Sequence, residues 1–354
     1  MKKSTKLLIT VLVLLLLVAA GAFFVLKTSL SPVSKDPESV QTITIEDNWY
    51  GKKVLSYLED EGIIKSADIA YLYTKLKKID INFMAGTYDV SPSWTIEELI
   101  DYLSDGNNAI QDTVTIKLIE GNRLKEFANI IAKDTNLNAE ELLAYWNDEN
   151  VVRKFMKDYP FLTEDVLNED STMYLEGYLF PDTYEFFANT DCEEVTRKIL
   201  DNTLVYYNKY KSAIEASELS VHEIFTLASI VQRESGNPDD MKDVASVFYN
   251  RMNAGMQLQS SVTVCYVLDI GLSEDWTKCE ITQTEFNPYN TYQVFGLPPG
   301  AICAFNEYAL DAVLDPNETE YYFFIGDVCG TGETIFAKTY AEQLENQEKY
   351  LTCY

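Results

Sequence analysis

The periods of apolar and polar positions along the chain predict its secondary-structure elements. Leu7 to Leu26 form an apolar run without a charged residue, and a run of this length can span a bilayer as a helix. The segment QTITIE, which starts at Gln41, alternates as a strand does. Helical spacing follows at Gly51–Glu61, at Ala67–Lys77 and at Leu124–Lys133. This mixture of short helices and strands predicts an α+β fold.

Breaks in the pattern divide the chain into five segments. We expect a cytoplasmic N-terminus at residues 1–6, a transmembrane anchor at 7–26, a linker at 27–40, a small α/β unit at 41–108 and a mixed α+β domain at 109–354. Lysines before the anchor keep the N-terminus in the cytoplasm, which places the rest of the chain outside. A cleaved signal peptide is the alternative, but its apolar region is usually shorter.

Two local signals refine the small unit. Ser93, followed by Glu97 and Glu98, predicts a helix start, and Gly106 predicts the end of that helix. The helix at Ala67–Lys77 is predicted to have an apolar face that consists of Ile69, Leu72, Tyr73 and Leu76.

Charge and composition narrow the function classes. The net charge of -28 disfavours a nucleic-acid partner, because an acidic surface repels the phosphate backbone. The 24 tyrosines and 17 phenylalanines could supply rings that stack on sugars, although most are expected in the core. The six cysteines lie in the C-terminal half without a C-x-x-C pair, and the chain has one histidine. No zinc site is therefore predicted, and disulfide bonds are permitted with their pairing open.

The segment LASIVQRESGNP, Leu227 to Pro238, has clear helix-end signals. Ser220 and Glu223 form an S-x-x-E capping box upstream of it. Gly236 is expected to end the helix, and Pro238 is expected to open the next one. A tight corner between two helices is a common place for a cleft.

Glu234 lies in the last turn of this predicted helix. It shares one face with the apolar residues Leu227, Ile230 and Val231. Desolvation on that face and the negative end of the helix dipole both raise the pKa of a carboxyl group placed there. Glu234 is therefore predicted to be a proton donor near neutral pH. The alternative is a glutamate at the edge of the face that reaches into solvent, with Arg233 pairing nearby.

Five stretches of the chain carry a resemblance to one family: EGYLFPDTYEF, LASIVQRESG, VASVFYNRM, GMQLQSSVTVCYVL and NPYNTYQVFGLPPGAI. Together they are similar to the YceG-like endolytic murein transglycosylases, over nearly the whole chain. The resemblance includes the N-terminal anchor and a LysM-like unit around Ile43 to Gly106. It implies a single-pass membrane enzyme that cuts nascent peptidoglycan strands outside the cell membrane and ends their elongation, beside cell-wall synthases. The catalytic glutamate of the family falls on Glu234.

The chain departs from the family pattern at several positions. Gln232 occupies a position where the family often has a glutamate, which suggests that this earlier glutamate is dispensable. The family usually continues with leucine, glutamine, threonine, aspartate and proline, whereas this chain has Leu258, Gln259, Ser260, Ser261 and Val262. Loss of the aspartate puts a catalytic role for it in doubt. A common family histidine is absent near Thr334, and the sole histidine, His222, is expected to be structural.

The resemblance implies a reaction that needs one protein carboxyl group. Glu234 would protonate the oxygen between N-acetylmuramic acid and N-acetylglucosamine, and the muramic C6 hydroxyl would attack C1 to leave a 1,6-anhydro end. The residues expected to bind substrate are Gln259, Ser260, Asn290 and Tyr292. No metal or organic cofactor is implied.

Two other function classes remain open at this point. A lysozyme-like hydrolase would use Glu234 with water and a second carboxylate, for which Asp240 and Asp243 are candidates. A non-catalytic wall-binding protein would keep the LysM-like unit and would tolerate the loss of Glu234.

Overall fold

A computed structural model of the protein describes residues 13–14, 17, 20–21, 24–46, 49–110, 112–270, 278–279, 284, 286–327, 330 and 332–351. The chain divides into two compact units, Met1–Asp112 and Thr113–Tyr354. This division lies close to the predicted boundary between residues 108 and 109. The LysM-like character of the first unit stays a prediction.

The predicted membrane anchor, residues 7–26, lies for the most part outside the described residues. Within the part of the chain that the structure describes, no helix is long and apolar enough to cross a membrane.

The first unit packs three helices against a two-stranded antiparallel sheet. Its elements are β1 (Gln41–Ile45), α1 (Gly51–Asp60), α2 (Ala67–Lys77), β2 (Gly86–Val90) and α3 (Ile96–Leu103). Ile43 of β1 lies opposite Tyr88 of β2, and both side chains are buried. The predicted strand at Gln41 and the helices at Gly51 and Ala67 are confirmed.

The start of α3 differs from its prediction. Thr95, not Ser93, is the N-cap residue, and it forms a capping box with Glu98. Ser93 is unsuited to the role because its hydroxyl and main-chain N–H both bond the Ser91 hydroxyl. The helix ends at Leu103, and Gly106 begins a separate 3-10 turn.

The predicted apolar face of α2 is wrong. Leu72 and Leu76 are 50% and 68% exposed, whereas Ala67, Ala70 and Thr74 are the buried residues of the helix. α2 packs against α1, and small side chains allow two helices to approach closely. Spacing alone identified a stripe of large residues, but packing selected the stripe of small ones.

The second unit is a mainly helical body with two short antiparallel sheets. β3 (Thr113–Lys117) pairs with β4 (Thr183–Phe187), and β5 (Phe323–Gly326) pairs with β6 (Thr334–Ala337). Its longer helices are α4 (Leu124–Asp134), α5 (Ala139–Trp146), α6 (Glu149–Phe155), α7 (Cys192–Ala216), α8 (Val221–Glu234), α9 (Pro238–Asn253), α10 (Ser261–Val267), α11 (Glu307–Leu314) and α12 (Tyr340–Tyr350).

Helix α8 occupies the centre of the second unit. Every residue from Ile224 to Gln232 is buried, and α8 packs against α9, α10 and α11. Phe225 makes ring contacts with Phe161, Tyr178 and Phe305, and burial of such a side chain stabilises the fold by about 2–3 kcal/mol. Because the middle of α8 is enclosed, its functional groups can meet a substrate only at its ends.

Candidate active site

Glu234 lies at the C-terminal end of α8. The predicted capping box of Ser220 and Glu223 fixes the start of the helix. Glu234 is its last residue and is half-buried. The helix ends because Ser235 adopts an extended conformation (φ -133°). The predicted stop at Gly236 is confirmed in position, since the helix ends just before it, although Gly236 has no positive φ and so does not form a left-handed cap.

Ser260 is the residue that the fold brings onto Glu234. Its hydroxyl donates a hydrogen bond to Oε1 of Glu234 at 2.5 Å, and its side chain is buried. The two residues are 26 positions apart. Ser260 was predicted to bind substrate, whereas the structure directs its hydroxyl at the candidate acid itself.

A buried hydroxyl network supports the main chain of Ser260. Thr291 Oγ1 accepts from the Ser260 N–H at 3.0 Å, and the Oγ1 atoms of Thr291 and Thr263 are also 3.0 Å apart. Thr263 Oγ1 donates to the Ser260 carbonyl at 2.9 Å. Neither threonine is exposed. Neither threonine was predicted as a site residue, because no local pattern marks a threonine that bonds a distant main chain.

Arg251 of α9 fastens the loop that precedes Ser260. Its buried guanidinium donates to the carbonyls of Leu258 at 2.8 Å and of Tyr322 at 2.6 Å, and to Oε1 of Gln259 at 3.3 Å. Burial lowers the pKa of Arg251, while the neighbouring charges of Tyr292 and Glu234 oppose that change. The loop is thus tied to a cation that lies within electrostatic reach of Glu234.

The other predicted substrate-binding residues have different surroundings. Gln259 is exposed beside Ser260, and its backbone is in the left-handed region (φ 50°). Asn290 is buried, and its Oδ1 accepts from the N–H of Tyr292 at 3.1 Å. This contact is a local turn bond between a side chain and the main chain two residues on. The Tyr292 side chain is half-buried and packs against a small apolar cluster that includes Cys265 and Cys279.

Cys265 of α10 forms a disulfide bond with Cys279, with 5.0 Å between their Cα atoms. The sequence left this pairing open. Cys192 and Cys303 are free thiols. Among the residues described by the structure, no group of three or more His, Cys, Asp or Glu side chains could hold a metal ion.

The carboxylates considered for a hydrolase make other contacts. Asp240 accepts from the hydroxyl of Thr334 at 2.9 Å, and Asp243 accepts from the amide of Asn317 at 2.8 Å. Both acids lie on α9. These contacts give each carboxylate a structural partner within the second unit.

His222 connects the start of α8 to the proline-rich loop. Its Nε2 donates to the carbonyl of Pro299 at 2.8 Å, because a carbonyl can only accept. Its Nδ1 lies 2.7 Å from the Tyr178 hydroxyl and is then the acceptor of that bond. Both ring nitrogens therefore make hydrogen bonds within the fold, at the opposite end of α8 from Glu234.

A cavity of about 880 Å³ opens at this end of α8, with Asp170, Glu223 and Phe286 among its lining residues. Glu234 lies twelve positions after His222 in the helix, which corresponds to roughly 18 Å along the helix axis. The cavity is therefore not the place of the reacting carboxyl group.

Glu176, in the stretch EGYLFPDTYEF, is a second unusual carboxyl group. It is 4% exposed, and its two oxygens accept from the Leu124 N–H at 3.1 and 3.3 Å. Burial raises the pKa of Glu176 to about 8, although the Leu124 N–H and the charge of Arg123 act against this. The adjacent Gly177 has φ +78° and lies against Ala301. Glu176 thus connects its own segment to the start of α4 through a buried hydrogen bond, and it was not predicted as a site residue.

Comparisons with known proteins show the family of the chain. The YceG-like family model matches residues 43–349. A Bacillus subtilis (strain 168) protein named endolytic murein transglycosylase is 33% identical over 340 residues, which cover 95% of this chain and 92% of the relative. A Streptococcus pneumoniae (strain D39) protein of the same name is 29% identical over 97% of this chain and 65% of its own length. The crystal structure of a YceG-like protein from Listeria monocytogenes superposes with a TM-score of 0.61 at 31% identity, covering 87% of this chain and 99% of that one.

Proposed function

Because the chain belongs to the YceG-like family, we propose that it is an endolytic murein transglycosylase. It cleaves nascent glycan strands between N-acetylmuramic acid and N-acetylglucosamine and leaves a 1,6-anhydromuramic end. The observation that carries this proposal is the half-buried Glu234 at the end of α8, held through Oε1 by the Ser260 hydroxyl. The names of the related proteins support the substrate and the reaction class.

The reaction uses the carboxyl group of Glu234 twice. Protonated Glu234 donates to the glycosidic oxygen as the bond from that oxygen to C1 of the muramic residue breaks, through a transition state with oxocarbenium character. The C6 hydroxyl of the same sugar attacks C1, and its proton passes to the Glu234 carboxylate. The acid is restored and no water is consumed. Attack within one sugar gains from proximity, so a second catalytic carboxylate is not required.

Contacts of Asp240 and Asp243 favour this reaction over a lysozyme-like one. A hydrolase would need a carboxylate to direct water or form an intermediate. Asp240 bonds Thr334 and Asp243 bonds Asn317, so both acids have a structural use in the second unit.

Substrate contacts are assigned to the surface beside Ser260. Gln259 is exposed there, and its side-chain oxygen accepts a hydrogen bond from Arg251. The side-chain NH2 group can then donate to sugar hydroxyls. The half-buried ring of Tyr292 offers a face for stacking. Asn290 acts by shaping the turn that presents Tyr292, since its Oδ1 bonds that residue's N–H.

The proposal also covers location. The apolar run at residues 7–26, with lysines before it, supports a single-pass anchor with the second unit outside the membrane. The Cys265–Cys279 disulfide suits an oxidising compartment. A LysM-like first unit would add contact with the wall, where synthases make the strands.

Product masses test the proposal directly. The full chain in mild detergent is incubated with uncrosslinked nascent glycan strands, beside Glu234→Gln and the control Glu218→Gln, which changes an exposed glutamate. We expect the wild type and the control to produce strand ends that are one water lighter than hydrolysis products. The cleavage rate of Glu234→Gln should be lower by about a hundredfold or more.

Other outcomes would replace the proposal with a defined alternative. Reducing ends of full hydrolytic mass would indicate the lysozyme-like reaction. Absence of cleavage by folded wild-type protein would indicate a wall-binding protein.

A further inference from the structure

A third residue, Thr291, bonds the main chain beside the contact between Ser260 and Glu234. Thr291 Oγ1 accepts from the Ser260 N–H at 3.0 Å and lies 3.2 Å from the Ser260 carbonyl oxygen, to which it can donate. The Thr291 carbonyl accepts from the Gln259 N–H at 3.1 Å. One buried threonine therefore fixes two consecutive residues of the loop through three main-chain groups.

The loop has a physical need for such a clamp. Gln259 has φ 50°, a left-handed conformation that residues other than glycine adopt at a cost. Ser260 follows immediately in an extended conformation and is the N-cap residue of α10. This abrupt change of direction turns the Ser260 hydroxyl toward Glu234. Without the bonds to Thr291, the strained turn can relax and carry the hydroxyl away.

We propose that Thr291 is a positioning residue for the proposed reaction, acting through Ser260 on Glu234. The inference rests on the proposed function for its effect on catalysis. An oxygen that accepts a hydrogen bond from Ser260 serves as the carbonyl oxygen of the protonated acid, so the transferable proton resides on Oε2. Thr291 thereby decides which oxygen of Glu234 is presented as the acid.

Two arginines are charged neighbours of Glu234, one in space and one in sequence. Arg251 lies within electrostatic reach of Glu234 and of Tyr292. Arg233, adjacent to Glu234, donates to the carbonyl of Gly121 at 3.3 Å. The Ser260 hydroxyl adds a directional donor to these charges, and a donor to a carboxylate favours the ionised form.

A matched set of threonine variants tests the proposal. Thr291→Val keeps the shape and removes Oγ1, whereas Thr291→Ser keeps the hydroxyl. Thr226→Val is the control, because Thr226 is equally buried in α8 and its hydroxyl bonds no residue that the structure describes. We expect Thr291→Val to lower kcat by about ten- to a hundredfold with little change in KM. Thr291→Ser and Thr226→Val should stay within about threefold of the wild type.

The second readout is the titration of Glu234, which does not require activity. In protein with ¹³C-labelled glutamate carboxyl groups, the Glu234 signal is the one missing from Glu234→Gln. Loss of the Ser260 donor should raise the titration midpoint by about one pH unit in Thr291→Val and in Ser260→Ala. In the pH profile of kcat/KM, the decline at high pH should shift to higher pH by the same amount, because a general acid must be protonated to act.

The outcomes separate this inference from the proposed function. Unchanged kcat and an unchanged midpoint in folded Thr291→Val would overturn the positioning role. A wild type that makes no anhydro ends would overturn the function, while the midpoint would still decide the inference. If Thr291→Val does not fold, Thr291→Cys makes the same comparison with a much weaker acceptor.

Discussion

Replacing Glu176 with glutamine should change how the stability of the second unit depends on pH. Glu176 is buried, and its carboxyl group accepts from the Leu124 N–H. A glutamine side chain keeps an oxygen for that bond and cannot ionise. The variant therefore removes a titrating group from the core with little change in shape.

The raised pKa of Glu176 determines whether stability rises or falls with pH. Burial raises the pKa of Glu176 from 4.5 to about 8, so the folded state holds a proton that the unfolded chain has released within this window. Stability is full below the unfolded value and is lost as the pH rises toward the folded value. The loss is about 1.4 kcal/mol per pH unit, or on the order of 5 kcal/mol over the whole window.

Thermal denaturation at pH 5, 6, 7 and 8 measures this effect, with hydrogen exchange in the Leu124–Asp134 peptide to assign the transition. For a unit of this size, the wild-type Tm should fall by about 3 to 6 °C per pH unit relative to Glu176→Gln. At pH 5 the two proteins should be about equally stable. At pH 8 the variant should be clearly the more stable protein.

Glu126→Gln is the matched control, for which we expect the opposite pH dependence of stability. Burial raises the pKa of Glu126, but hydrogen bonds and charge from Arg123 outweigh burial and lower it. Its removal should destabilise the unit at neutral pH and have less effect at low pH. Parallel Tm curves for the wild type and Glu176→Gln across this range would refute the reasoning about Glu176.

Two further predictions concern stability. Gly177→Ala should lower the Tm by several degrees, because the new Cβ would lie 2.3 Å from Ala301 Cβ and the backbone has φ +78°. Gly236→Ala is the control and should have little effect, because its new Cβ meets nothing within 4 Å. Equal Tm values for the two variants would contradict the packing described. Replacing Cys265 and Cys279 with serine should reduce the free energy of unfolding by about 3 kcal/mol, because the bond closes a loop with a separation of 14 residues. Denaturation with and without reductant measures this, and a wild type insensitive to reductant would speak against the bond.

Local pattern determined a large part of this protein. The capping box at Ser220, the apolar stripe of α8 and the position of Glu234 at its end all follow from neighbours within four residues. Helix bounds at Gly51, Ala67 and Leu124 were predicted for the same reason. Local signals failed where competing partners existed, as at Ser93, whose hydroxyl bonds Ser91.

Tertiary structure alone decided how the site is assembled. Ser260 lies 26 residues from Glu234, and Thr291 lies 31 residues from Ser260, so no periodicity could connect them. The pairing of Cys265 and the burial of Glu176 were hidden for the same reason. A sequence shows which side chains could donate, accept or ionise. The partners of those side chains, and hence their roles, depend on which distant segments the packed core brings within 3 Å.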